Sequence, residues 1–214
     1  MTNPTSRQLS LFGSSIPPRM GSPRAPAPKV VHFFAVLPPD EIRAELTRLR
    51  LDMAAQERFH GKAVAPERLH LSIARLYDCE PADLPKSMKH LEALANEIAV
   101  RVTMPSFEVC FDRLQTFRLK KDKQTWQYQY LLVLSSAPTA GLVRFRDLFR
   151  RSFAKRGLGV TKAFNPHISL IYGNRPIAPR NVTPRQWVVG DFALVQSFHG
   201  QGKHVILKRW PLTG

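Results

Sequence analysis

The string "HLSI" at residues 70–73 returns as "HISL" at 167–170, 97 residues further on, each reading histidine, apolar, serine, apolar. The same shift lays "FFAVL" (33–37) over "YLLVL" (130–134) and brings the helical stretch after Pro39 close to the one after Thr139. A second echo relates "LQTF" (114–117) to "VQSF" (195–198), each ending a strand that turns back into another. Strand, helix and motif strand repeating in one order call for two similar lobes built by duplication. Side chains two apart on a strand share a face, so His70 points with Ser72, and His167 with Ser169. Duplicated strands related by an approximate two-fold would face each other across a cleft and gather these four residues.

The intervening sequence supplies the rest of an α+β chain. "VVHFFAVL" reads as a strand, and "PPDEIRAELTRLRLDM" as a helix with Ile42, Leu46, Leu49 and Met53 along one face. "RLHLSIARLY" is a strand, followed by a helix at "DLPKSMKHLEALANEIAV" with Asp83 as N-cap and Met88, Leu91 and Ile98 inward. Strands follow at "FEVCFDRLQTF" and "YQYLLVLSS". A third helix over 139–156 carries Phe145, Leu148, Phe149 and Phe153 and stops at Gly157. "HISLIYG", "WVVGDFALVQSF" and "KHVILKRWPL" complete the strands. Residues 1–28 stand apart as a flexible basic tail: six of the 18 prolines and three arginines fall there, and no acidic residue. The folded domain therefore spans 29–214.

Lys and Arg number 32 against 16 Asp and Glu, and a formal charge of +16 favours a polyanionic partner, nucleic acid first. With no long apolar run and no signal-peptide core, neither membrane insertion nor secretion is expected. Cys79 and Cys110 lack metal or redox spacing and suit a reducing cytoplasm. His32, His60, His90, His199 and His204 form no ligand-spaced cluster with cysteines or acids, so no metal site is expected.

Two imidazoles with unperturbed pKa near 6.5 can serve as acid and base at neutral pH, while two hydroxyls donate to the non-bridging oxygens of a phosphate. In-line displacement at phosphorus needs one group to deprotonate the attacker and another to protonate the leaving oxygen. The repeat makes the two histidines look alike and leaves their roles open. At these residues, and along "HFFAVLPPDEIRAEL", "ERLHLSIARL", "NPHISL" and "LKRWPLTG", the chain resembles the 2H phosphoesterases, most nearly the bacterial RNA 2′,3′-cyclic phosphodiesterases, also called 2′-5′ RNA ligases. The resemblance implies a bilobed, pseudo-two-fold α+β fold in which two antiparallel sheets face a central cleft with helices outside. It implies His70 as proton donor to the leaving 3′-oxygen, His167 as proton acceptor from water, and Ser72 and Ser169 as phosphate-binding residues where the family more often has threonine. The expected substrate is RNA with a 2′,3′-cyclic phosphate end and the product a 2′-phosphate, without metal or cofactor. Ligation to a 2′-5′ link is available as the reverse reaction.

Two other functions compete: a 2H enzyme acting on 2′-5′ oligonucleotides or small cyclic nucleotide phosphates, and a non-catalytic RNA-binding module, which has no need for two opposed histidines. Arg75 and Tyr172, each five places past its histidine, point away from the histidine face on strict alternation and read as structural, unless a bend returns either to the cleft. Phe117 and Phe198 read as core. The runs "RLKKDK" (118–123) and "RRSFAKR" (150–156) are either RNA-backbone contacts or solvated charge. In the tail, Gln8, Leu9, Ser10, Leu11 and Phe12 resemble the pentapeptide by which bacterial proteins dock on the DNA polymerase sliding clamp, against the alternative of a chance apolar cluster.

Overall fold

The computed structural model describes residues 29–56, 59, 61–121 and 128–214. The tail with its Gln8–Phe12 motif, His60 and the end of the 118–123 basic run lie outside the described residues. In chain order the elements are β1 (Val30–Val36), α1 (Asp40–Gln56), β2 (Gly61–Ala63), β3 (Leu71–Cys79), α2 (Leu84–Ala99), β4 (Phe107–Lys121), β5 (Tyr128–Ser135), α3 (Ala140–Ala154), β6 (His167–Gly173), β7 (Arg180–Val189), β8 (Asp191–Phe198) and β9 (Lys203–Pro211).

The main strands lie in the order β7-β4-β5-β6-β3-β1-β8-β9, all antiparallel, with β2 pairing β6. The order has two matching halves: β1 lies between β3 and β8 as β5 lies between β6 and β4. The expected duplication is therefore present strand for strand. The two expected sheets are halves of one open sheet, joined where β3 and β6 meet at the single pair Leu71–Ile168. These two residues are themselves 97 apart, so the seam lies on the pseudo-two-fold axis. The "LQTF" and "VQSF" echo has a physical basis too. Gln115 of β4 donates to Ser135 Oγ of β5 (2.7 Å), and Gln196 of β8 accepts from His32 Nε2 of β1 (3.0 Å), so each glutamine ties one strand to its neighbour.

The helices cross between the halves. α1 follows β1 yet packs on β6 and β7, where Glu45 pairs with Arg185 at 2.7 Å. α3 follows β5 and rests on β4 of its own half, where Phe145 meets Phe107 at 5.2 Å, but it also reaches across to the other: the rings of Phe149 and Phe153 lie 4.9 and 6.2 Å from that of Phe34 in β1. Phe149 also meets Phe192 of β8 at 5.2 Å. One apolar core results, common to both halves. Phe34 is fully buried at its centre, and truncating such a residue to alanine costs about 3–5 kcal/mol. Among the described residues no helix is long and apolar enough to cross a membrane.

Two expectations need correction. Asp83 sits at the N-cap of α2, but its side chain makes no cap bond: it ends a 3-10 turn, Pro81–Asp83, with helical φ and ψ of −90° and −10° rather than the extended geometry a cap requires. "WVVGDFALVQSF" is two strands. Gly190 separates β7 from β8, which belong to different halves, and β7 begins earlier, at Arg180. That earlier stretch, "RNVTPRQ", carries a proline and no alternation because β7 is an edge strand. Gly157 does end α3, at φ +69°, with the Leu158 and Gly157 amides donating to Phe153 and Ala154.

Candidate active site

The sequence places one histidine immediately before each residue of the seam pair: His70 precedes Leu71, and His167 precedes Ile168. The two imidazoles therefore flank the pseudo-two-fold axis. Each is oriented in the same way, by the carbonyl two residues back. His70 Nδ1 lies 2.7 Å from Arg68 O, and His167 Nδ1 lies 2.8 Å from Asn165 O. A carbonyl oxygen only accepts, so both Nδ1 atoms carry hydrogen and both Nε2 atoms are left for chemistry. Ser72 Oγ lies 3.1 Å from His70 Nε2 and donates to it when the imidazole is neutral.

Two cavities meet at Ser72. One, of about 350 Å³, is lined by His70, Ser169, Tyr172, Phe198 and His204; the other, of about 690 Å³, by His167, Phe117, Arg75 and Arg146. All four sequence-predicted residues line this cleft.

Arg75 and Tyr172 are there as well, against the reading from alternation. The β1–β3 register slips between Ser72 and Ala74, and the β5–β6 register slips between Ser169 and Ile171. Ile73 with Ala74, and Leu170 with Ile171, are consecutive buried residues, so each strand turns its face by one position. The bulges are themselves 97 residues apart, and they return Arg75 and Tyr172 to the side of their histidines. Phe117 and Phe198 are likewise cleft residues rather than core: the Phe117 ring stands edge-on to His167, with centroids 5.0 Å apart. His204 is the functional candidate that sequence spacing missed. Its ring is 5.2 Å from His70, and Phe33 is 5.0 Å from His70 on the same floor.

Burial pushes His70 down to about 4. The Arg68 carbonyl opposes this shift, and repulsion from the neighbouring His167 and Arg68 side chains adds to it. His204 is also lowered to about 4, by burial and then by His70 and Arg68. Burial raises Asp78, but hydrogen bonds from Arg75 and Lys29 outweigh it and hold the carboxyl below its usual range. The empty cleft thus presents neutral imidazoles beside the cations Lys62, Arg68 and Arg75, a field suited to an anion. The 150–156 basic run lies elsewhere. It ends α3, on the side of β1 that carries Phe34 and opposite the cleft-facing Phe33, and Arg150 and Arg156 pair there with Asp147 and Glu97. Among the described residues no three His, Cys, Asp or Glu side chains converge as a metal site.

A family model described as the 2′-5′ RNA ligase superfamily matches residues 38–197, three quarters of the chain and both histidine motifs. The chain belongs to this superfamily. Escherichia coli LigT in its apo form is similar at 25% identity and a TM-score of 0.62, over 88% of this chain and all of LigT. LigT complexed with 3′-AMP is similar at 24% identity and a TM-score of 0.58, over the same shares. TT0787 of Thermus thermophilus is similar at 24% identity and a TM-score of 0.60, covering 86% of this chain and 98% of its own. None of the curated proteins matches the chain.

Proposed function

We propose that this superfamily member hydrolyses 2′,3′-cyclic phosphate ends of RNA to 2′-phosphates. The mirrored pair carries the reading: two imidazoles on either side of the axis, each fixed through Nδ1 and each offering Nε2 to one cleft. In the reaction His167 Nε2 takes a proton from water as the water oxygen bonds to phosphorus. The bond from phosphorus to the 3′-oxygen breaks, His70 Nε2 gives that oxygen its proton, and the phosphate stays on the 2′-oxygen. Ser72 and Ser169 donate to the non-bridging oxygens. His70 is neutral in the empty cleft, so the donor role requires that it gain a proton as the phosphate arrives, the phosphate's negative charge offsetting burial and the Arg68 guanidinium. LigT, which shares this fold, has been solved complexed with 3′-AMP, a nucleotide of the class proposed here. The two free cysteines, with thiols raised by burial, fit a cytoplasmic setting.

The decisive assay incubates the purified protein with cyclic-phosphate-ended RNA in the presence of EDTA and identifies the hydroxyl that keeps the phosphate. His70→Ala and His167→Ala are each expected to lower turnover by about 10²- to 10⁴-fold. Normal turnover in either variant, or a 3′-phosphate product, overturns the reading. The position of the 150–156 run away from the cleft favours a second one, a 2H hydrolase of small cyclic nucleotide phosphates.

A further inference from the structure

Past the Leu71–Ile168 pair the two motif strands diverge, and the larger cavity occupies the gap between β3 and the segment 159–165 that leads into His167. Arg146 of α3 lines it from beneath and is only 6% exposed. Its Nη2 donates to Thr161 O at 3.1 Å and to Thr161 Oγ1 at 3.4 Å, and the guanidinium lies 5.0 Å from the centre of the Phe164 ring. Among the described residues neither Nε nor Nη1 has a hydrogen-bond partner, and no carboxylate pairs with the group. A guanidinium has five N–H donors, so one on Nε and two on Nη1 go unmet in the empty cavity. Leaving buried charged donors without acceptors is costly, and a site that gives such a group no carboxylate partner is arranged for an anion from outside.

We infer that Arg146 binds a second phosphate of the substrate, the 5′-phosphate of the nucleotide whose cyclic end lies at His167. The inference rests on the phosphodiesterase reading above. His167, Phe117 and Arg146 line one cavity, so a nucleoside bound between the two ends presents one phosphate to the imidazole and the other to the guanidinium. Tyr77, 41% exposed on the wall, offers a ring against which the base stacks. Guanidinium is the side chain best matched to phosphate, through several parallel N–H bonds. Nε and Nη1 are closed to water in the empty state, so a phosphate reaches them only as the 159–165 segment, held to Nη2 through Thr161, moves aside. Asp78 lines the same cavity, but Arg75 and Lys29 already hold its charge. An RNA end, whose last nucleotide carries a 5′-phosphodiester, satisfies this site; a free cyclic nucleoside phosphate does not.

The test is calorimetric binding of adenosine 2′-monophosphate against adenosine 2′,5′-bisphosphate. The wild-type protein is expected to bind the bisphosphate at least about tenfold more tightly, which is about 1.4 kcal/mol. Arg146→Met brings the ratio close to one, and Arg146→Lys restores part of it. The Arg146 Nε–H resonance of the wild-type protein is expected to shift with the bisphosphate and not with the monophosphate, a readout that stands even where the methionine variant does not fold. Equal affinities in the wild type, a ratio that survives in Arg146→Met, or an unmoved Nε resonance overturns the inference. Hydrolysis of a cyclic-phosphate-ended RNA oligonucleotide is measured separately. Its absence overturns the phosphodiesterase reading and leaves the binding ratio to decide on Arg146, whereas binding of neither ligand overturns both.

Discussion

A phosphate entering the cleft must change the charge of His70, and the size of that change follows from the geometry. The imidazole is held at about 4 chiefly by burial, with repulsion from His167 and Arg68 adding to it. A bound monoanion would sit where Ser72 Oγ now contacts Nε2 at 3.1 Å, so its charge lies on the order of 4 Å from the ring. At an effective dielectric of about 20, one unit of charge at about 4 Å is worth about 4 kcal/mol. With about 1.4 kcal/mol to the pKa unit this is about three units. Solvent screening at a half-buried ring reduces it to roughly two. His70 should therefore move from about 4 to about 6 or above once the anion is bound. The assay is an NMR titration of the histidine rings with and without saturating adenosine 2′-monophosphate, the His70 signal being assigned by its loss in His70→Gln. Because the bound state has the higher pKa, binding takes up a proton between the two values, and affinity falls as pH rises through that window. Calorimetry at pH 5.5 in two buffers of different ionisation heat should find close to one proton taken up. A free-protein His70 titrating near 6.5, or one that the ligand leaves unmoved, refutes the account of how a neutral residue becomes the proton donor.

Three further outcomes are expected. His32, His70 and His204 all have pKa values below that of an unfolded histidine, so the unfolded chain binds more protons between about pH 6.5 and 4. Stability is then fully present above pH 6.5 and drops by up to a few kcal/mol as pH falls through that range, which calorimetric Tm values at pH 7, 5.5 and 4.5 would show; equal Tm values contradict it. If the cations of the cleft contact several phosphates, affinity for a long cyclic-ended RNA falls steeply with salt while that for a cyclic mononucleotide falls little; parallel slopes favour the small-nucleotide reading. We also propose that the Gln8–Phe12 segment docks on a sliding clamp: a peptide of residues 5–14 should bind purified clamp at roughly micromolar strength, and Leu11→Ala with Phe12→Ala should abolish binding without affecting hydrolysis. No binding well above that range removes the proposal.

The quartet His70, Ser72, His167 and Ser169 was legible because its signal is local: residue types two apart on a strand, repeated at one interval. Arg75 and Tyr172 were misread because a β-bulge shifts the face by one residue, and "SIAR" and "SLIY" look like ordinary apolar strand. His204 comes beside His70 only through the pairing of β9 with β8 and of β8 with β1, which no spacing encodes. The amphipathic stripes of α1 and α3 showed that each helix is buried. They carried no information on which half each one covers.

That crossing of helices bears on where such a chain came from. A half-length ancestor with one motif would have sent part of its helix's apolar face beyond its own sheet, leaving that part uncovered. Two copies, each sheet receiving the other's helix, would cure the defect and set two identical histidines about a true two-fold axis. Such a molecule is an obligate dimer, whose folding depends on concentration. Joining the copies end to end removes that dependence and frees the halves to differ. The results of that freedom are visible here: arginine at 75 against tyrosine at 172, His204 beside only one of the two imidazoles, and Arg146 beneath the cavity of the other.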